Sequence, residues 1–292
     1  MNEICKYVDN YVKEIHWRDG INDYSRNSPY RTLSNGERDE WILFILEELK
    51  KPLEEAGDHR KQKWEDGWGQ SLNSKEYVPG YFGKYPVIRF NREFVRSNHL
   101  DSKLEYHFFC GLQEYLFGAL LKNVSNIYEF GCGTGHNLVR MRSINKEAKL
   151  YGLDWTESGV RSVNNLESVI HNVEGVLFDM FNPDLDFHLK PNSAVVTVAS
   201  LEQLGKDFKP FLSFIMKEKP DIVIHIEPFQ DLLDPTNLLD YLSLEYMKKR
   251  NYIDGYVKYL KESDGAEIIT FERSFIGSLF LDGYSVLVWQ PA

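Results

Sequence analysis

The string EFGCGTG, Glu129 to Gly135, is the first place where residue type and spacing suggest chemistry. Glycine at Gly131, Gly133 and Gly135 would let a nucleotide-bearing ligand approach the backbone where a Cβ would collide. Dinucleotide sites use G-x-G-x-x-G, but here the sixth position is His136. The pattern is G-x-G-x-G, with the carboxylate of Glu129 two residues before the first glycine. A second set of polar residues lies further on, in VIHIEP (223–228). By period two, His225 and Glu227 share one strand face. A polar pair at the end of an apolar strand is costly unless it is used or satisfied. A histidine can carry a proton near neutral pH, and a neighbouring carboxylate raises its basicity. His225 is therefore the general base this reading expects, with Glu227 and Glu202 beside it. The same residues also fit a core histidine and a helix cap. A divalent-metal site is not expected, because no carboxylate-rich pattern is evident.

These residues need a scaffold. NIYEF (126–130), KLYGLD (149–154), VEGVLFD (173–179), AVVTVA (194–199) and DIVIHIE (221–227) read as short strands. Helical stretches near 136–143, 157–168 and 208–218 separate them. This alternation predicts a parallel sheet with helices on both faces. A long polar helix is expected over 235–262. Two closing strands follow, 266–273 and 284–290, joined by too few residues for a helical crossover and so antiparallel. Before residue 125 no strand–helix alternation can be followed. Helices are expected at 39–56, ended or kinked by Pro52, and at 103–122. The Trp-, Tyr-, Gly- and Pro-rich run 64–90 reads as turns around aromatics.

Composition bounds the rest. The chain has 292 residues, 42% apolar and 14% aromatic, enough apolar surface to fold. Its net charge of −10 makes a phosphate backbone an unfavourable partner, so no nucleic acid is expected. Most of the acidity lies in residues 126–292, with 24 acidic against 16 basic residues. No apolar run is long enough for a membrane helix, and the charged N-terminus has no signal-peptide core. Cys5, Cys110 and Cys132 are neither a disulfide framework nor a zinc pattern. A cytoplasmic protein with reduced thiols is expected.

The EFGCGTG turn, in its strand–turn–helix context, resembles the first motif of class I S-adenosylmethionine-dependent methyltransferases. The resemblance covers roughly residues 105–292. It implies an α/β, Rossmann-like sheet of seven mostly parallel strands with one antiparallel, preceded by a mainly helical or irregular cap. The expected division is 1–102 for the cap and 103–292 for the cofactor-binding domain. S-adenosylmethionine is the implied cofactor and S-adenosylhomocysteine its product. Glu129 would face the methionine ammonium, with Gly131, Cys132, Gly133 and Gly135 forming the turn. Asp154 would take the ribose hydroxyls, since a carboxylate can accept two hydrogen bonds from a diol. Trp155 would pack on the adenine, with Asp179 and Met180 at its amino group and ring.

The acceptor end is less specific. Glu202 and Gln203 follow the fourth strand, and Tyr81 and Tyr85 belong to a stretch suited to covering a site. The expected reaction is methylation of a small molecule, with a hydroxyl of a sugar or natural product placed first and His225 as base. N-methylation of an amine, a peptide or a protein is the alternative, because Glu202 and Glu227 would attract a cation. A nicotinamide-dependent oxidoreductase, or a binding module that has lost its chemistry, are further alternatives. The oligomeric state is not legible.

Overall fold

The computed structural model describes residues 1–18, 29–74, 77–98, 103–263 and 265–292. The N-terminal part holds α1 (Glu3–Arg18), β1 (Tyr30–Thr32), α2 (Asn35–Lys50), α3 (Lys61–Ser74), β2 (Val87–Phe90) and β3 (Glu93–Ser97). A capping box starts α2: Ser34 accepts from the Glu37 N–H, and the Glu37 carboxylate accepts from the Ser34 N–H. The helix starts earlier than residue 39 and ends at Lys50, two residues before Pro52, which stops it as expected. The run from residue 64 is not all turns. Residues up to Ser74 continue α3, and Val87–Phe90 is a strand. Two glycines in WEDGWGQ suggested a turn. However, both glycines lie within the helix: a Cβ on Gly69 would only make ordinary contact with Ser158 at 3.9 Å, and one on Gly67 would meet nothing.

The second part holds α4 (Leu104–Leu120), β4 (Asn126–Phe130), α5 (His136–Ile144), β5 (Lys149–Asp154), α6 (Glu157–Asn165), β6 (Val173–Leu177), β7 (Ser193–Val198), α7 (Lys209–Glu218) and β8 (Ile222–Glu227). Then come α8 (Leu238–Lys249), α9 (Tyr256–Glu262), β9 (Ala266–Glu272), β10 (Ile276–Gly277) and β11 (Ser285–Pro291). The single long helix expected over 235–262 is two. Asn251 at φ +51° and Gly255 at φ +78° leave helical space and turn the chain between α8 and α9.

The main sheet has the order β6-β5-β4-β7-β8-β11-β9. The first five strands are parallel, and β11 runs antiparallel between β8 and β9. The chain winds outward from β4 in both directions, so a crevice opens at the carboxyl ends of β4 and β7, where the glycine turn lies. A smaller antiparallel sheet, β1-β3-β2-β10, was not legible from the sequence. Its last strand comes from the loop between β9 and β11, which ties the N-terminal part to the C-terminal one. The buried Arg89 guanidinium reinforces this tie, donating to the carbonyls of Leu239, Leu279 and Phe280 and to the Ser243 hydroxyl.

The main sheet is covered on both faces. Ile127, Ile224 and Ile226 belong to the core under α4 and α5, while Tyr128, Phe130 and Val223 face the core formed with α7 and α9.

Candidate active site

After β4 the backbone makes a left-handed turn, with Gly131, Gly133 and Gly135 at φ +70°, +52° and +76°. A Cβ on Gly131 would fall 2.4 Å from the Ser200 Cβ, so this glycine is required by space as well as by φ. Ser200, just after β7, donates its hydroxyl to the Phe130 carbonyl at 2.8 Å and fixes the two strand ends together. Asp154 ends β5. One of its oxygens accepts the Gly133 N–H at 2.9 Å, and the other accepts the N–H and hydroxyl of Thr156. The carboxylate thus holds the turn in place while lining a cavity. Burial raises its pKa.

The walls of this first cavity include Gly131, Asp154, Trp155, Met180, Trp64 and Trp68. Trp155 stacks on Phe181 with ring centres 5.4 Å apart. Trp64 and Trp68, four residues apart on α3, stack at 5.2 Å and close the cavity from the N-terminal part. A Cβ on Gly133 would meet the Trp68 ring at 2.8 Å. Glu65 anchors α3 by accepting the Ser158 N–H at the start of α6. Asp179 does not line this cavity. It is spent on a turn, accepting the Phe181 N–H at 2.9 Å. Cys132 contributes backbone only: its thiol is buried in the core, where desolvation raises its pKa far above the ordinary value.

Glu129 is 1% exposed. One oxygen accepts from Asn137 at 2.6 Å, and the other has no hydrogen-bond partner among the described residues. Burial pushes this carboxyl up to about 8. Beside the turn, His136 is held neutral by burial, its pKa lowered to about 3, and its Nε2 too has no partner among the described residues. An orphaned carboxylate oxygen next to a glycine turn fits a cationic group of a bound ligand.

A second, larger cavity adjoins the first and shares Trp64, Ala199 and Gln203 with it. Ala199 sits at φ +47°, a strained position for a residue with a Cβ, directly between the two. Tyr81, Tyr85, Glu202, Glu105, Arg250 and Tyr284 also line the second cavity. Gln203 bridges the parts: Arg60 donates to its carbonyl oxygen, and its amide donates to Glu202 at 2.8 Å. Burial, then the charge of Glu227, raises the Glu202 pKa.

The structure separates the expected catalytic trio. Glu202 lines the second cavity. Glu227 lies beneath it, fully buried, accepting the backbone N–H groups of Ser200, Leu201 and Glu202. It caps the short turn Leu201–Leu204, and burial raises its pKa. His225 faces neither cavity. It is 0% exposed and packed against Tyr256 and Trp289. Its Nε2 accepts from the Trp289 indole at 3.0 Å and contacts the Tyr256 hydroxyl, and its Nδ1 lies 2.8 Å from the Thr197 hydroxyl. Burial lowers its pKa to about 3, so at neutral pH it is a weak proton acceptor, and both of its ring nitrogens are already engaged by buried neighbours. The expectation of a His225 base is corrected accordingly. Period two placed His225 on the right sheet face, but not which neighbours cover that face.

Sequence reasoning missed Trp64, Trp68, Glu105 and Tyr284. For the tryptophans the i, i+4 spacing was an available signal. For Glu105 and Tyr284, which share a 2.8 Å hydrogen bond across 179 residues, there was none. Among the described residues no group of three His, Cys, Asp or Glu side chains is placed to hold a metal ion. No described helix is long and apolar enough to cross a membrane.

No protein-family model matches the chain, and no curated protein matches its sequence. Solved structures do match its fold. N-methyltransferase NodS from Bradyrhizobium japonicum WM9, in complex with S-adenosylhomocysteine, aligns over 77% of this chain and 99% of its own, at 11% identity and a TM-score of 0.50. The [4+2]-cyclase SpnF aligns over 82% of this chain and 97% of its own, at 12% identity and a TM-score of 0.54. At such identities the likeness is one of fold. The fold is the Rossmann-like one of class I methyltransferases, with seven strands and an antiparallel strand near one edge, as the EFGCGTG resemblance implied. A cyclase among the matches means that chemistry must be argued from the site.

Proposed function

We propose that this chain is an S-adenosylmethionine-dependent methyltransferase acting on a small-molecule acceptor. One observation carries the reading: a cavity built on the glycine turn and Asp154 opens, across Ala199 and Gln203, into a second cavity with its own polar groups. In this reading the turn, Trp155 and Met180 hold the nucleoside, Asp154 takes the ribose hydroxyls, and the unpartnered oxygen of Glu129 takes the ammonium. When bound, S-adenosylmethionine supplies a methyl group activated by its sulfonium.

The chain's own residues supply position and dryness. Trp64 and Trp68 cover the first cavity, and Tyr81 and Tyr85 line the second, so that water is displaced from between the reactants. Alignment of the acceptor is the larger contribution, since an oriented pair reacts far faster than a free one. Glu202 is the proton acceptor of this reading. Burial and Glu227 raise its pKa above the ordinary carboxylate range, which makes it a better base than an exposed glutamate. Residues 1–102 serve as the cap and residues 103–292 as the cofactor-binding domain. The net charge of −10 argues against a nucleic-acid acceptor.

Calorimetric titration with S-adenosylhomocysteine, and with NAD in parallel, tests the reading. Micromolar binding of the first alone supports it, and Asp154→Ala weakens that binding by about 100-fold through loss of two charge-assisted hydrogen bonds. Binding of NAD alone would overturn it.

A further inference from the structure

We propose that the second cavity is an amine site: it takes an organic ammonium group between the carboxyls of Glu105 and Glu202 and against the aromatic rings around them. This rests on the reading of that cavity as the acceptor site and names its substrate class.

The two carboxyls are 6% and 8% exposed, and among the described residues neither makes an ion pair within 4.0 Å. Each is bonded instead to neutral donors, Glu105 to the Tyr284 hydroxyl and Glu202 to the Gln203 amide, both at 2.8 Å, with the Tyr252 hydroxyl also acting on Glu202. Arg250 and Arg60 feel the Glu202 charge only from beyond ion-pair distance, and a buried carboxylate without a direct ion pair is costly, so an incoming ammonium is the partner that offsets the cost. Their fields converge. Glu105, Glu202, Glu129 and Glu227 all raise the pKa of the Tyr81 hydroxyl, after burial itself. Rings complete the site: Tyr246 stacks on Phe280 at 5.0 Å, and Tyr85 meets Phe280 edge-on at 5.5 Å. Aromatic faces attract a cation and do not attract an anion.

Two cations also line the cavity, Lys84 and Arg250. Lys84 is exposed and lies over the Tyr85 ring at 5.4 Å. Arg250 lies over the Tyr252 ring at 5.4 Å, and its charge lowers the Glu202 pKa less than burial and Glu227 raise it. Neither occupies the space between the two carboxyls as an ion-pair partner. A carboxylate or phosphate acceptor would meet two like charges there. Glu202 also adjoins Gln203, which lines both cavities, so an amine held by Glu202 lies at their junction. A bound R–NH₃⁺ passes one proton to the Glu202 carboxylate, leaving R–NH₂ with a free lone pair and a neutral carboxyl.

The test uses three probes of one size and different charge: benzylamine, benzyl alcohol and benzoate. Each is titrated calorimetrically into the full chain, with and without saturating S-adenosylhomocysteine. The expected result is benzylamine binding about tenfold tighter than benzyl alcohol, with benzoate weakest. In the Glu105→Gln/Glu202→Gln variant the preference falls below about threefold. Equal affinities, a preference for the alcohol or benzoate, or binding of none of the three would overturn the proposal. The comparison within the unaltered protein stands even if the variant does not fold. S-adenosylhomocysteine failing to bind while the amine preference persists would sink the cofactor reading and leave the amine site. Its binding without an amine preference would do the reverse.

Discussion

Glu129→Gln is the sharpest perturbation, because it separates the fold from the ligand. Burial holds the Glu129 carboxyl at about 8 in the native state, against an ordinary value of 4.5. At pH 7 the unfolded chain therefore carries this group ionised and the fold carries it protonated. The unfolded state has lost a proton that the native state retains, so native stability falls as pH rises. The loss begins near pH 4.5 and levels off above about pH 8. Over roughly 2.5 pH units up to neutrality, at about 1.4 kcal/mol per unit, the ligand-free fold gives up about 3 kcal/mol. A glutamine has the same shape and no charge at any pH. Its amide nitrogen replaces a protonated oxygen that has no partner either, so the exchange is balanced at low pH.

The variant should then melt about 6 °C or more above the parent at pH 8, and within about 1 °C of it at pH 4.5. With S-adenosylhomocysteine the order should reverse in part, because only the carboxylate can meet an ammonium. The variant's affinity should fall about tenfold to 100-fold. Thermal melts from pH 4.5 to 9, with and without the ligand, read both effects. A variant that melts at or below the parent's temperature at pH 8 would refute the uncompensated buried carboxyl. Unchanged affinity would refute its role toward an ammonium.

Two further outcomes follow from the same geometry. Gly131→Ala places a Cβ 2.4 Å from that of Ser200 at φ +70°, and should cost about 2 kcal/mol or more of stability in a denaturant melt; a neutral result would mean the turn relaxes freely. His225 has a native pKa lowered to about 3 from 6.5, so its contribution to stability is fully present above pH 6.5 and is lost as pH falls towards 3. His225→Phe should lower stability at pH 7 by leaving Trp289 and Thr197 unpaired, flatten the stability slope between those pH values, and leave the pH profile of turnover unmoved; a turnover profile that loses an acid limb would restore His225 as a base.

Much of the second half of the chain was legible because its signals are local. The strands β4 to β8 are short apolar runs between turn and helix signals, and each lies within a residue or two of its expected bounds. Gly131, Gly133 and Gly135 needed no partner to be recognised, since their spacing alone encodes a left-handed turn. The closing pair of strands followed from the length of its connection. Asp154 and Met180 came from the family resemblance, at strand ends the sequence marked, and both line the first cavity. Asp179 and His225 show the limit of such placement. It gives a position along a strand and a face, but not what fills the space beside it.

What the tertiary structure decided is the content of that space. His225 became a core residue because Trp289, 64 positions away, donates to its Nε2 from β11. Glu227 became a cap because β7 ends where three N–H groups point at it. α3 walls both cavities, and the start of α4 and the loop before β11 wall the second, segments far apart in the chain that the fold, including the smaller sheet, brings together. The sequence by itself determined the parallel sheet, its glycine turn and the acids at its strand ends, because period and φ preference act over a few residues. Which acids face a ligand, which are satisfied by backbone, and which rings surround them was left to contacts between residues far apart in the chain. Burial and pairing of a polar group depend on those contacts and on nothing local.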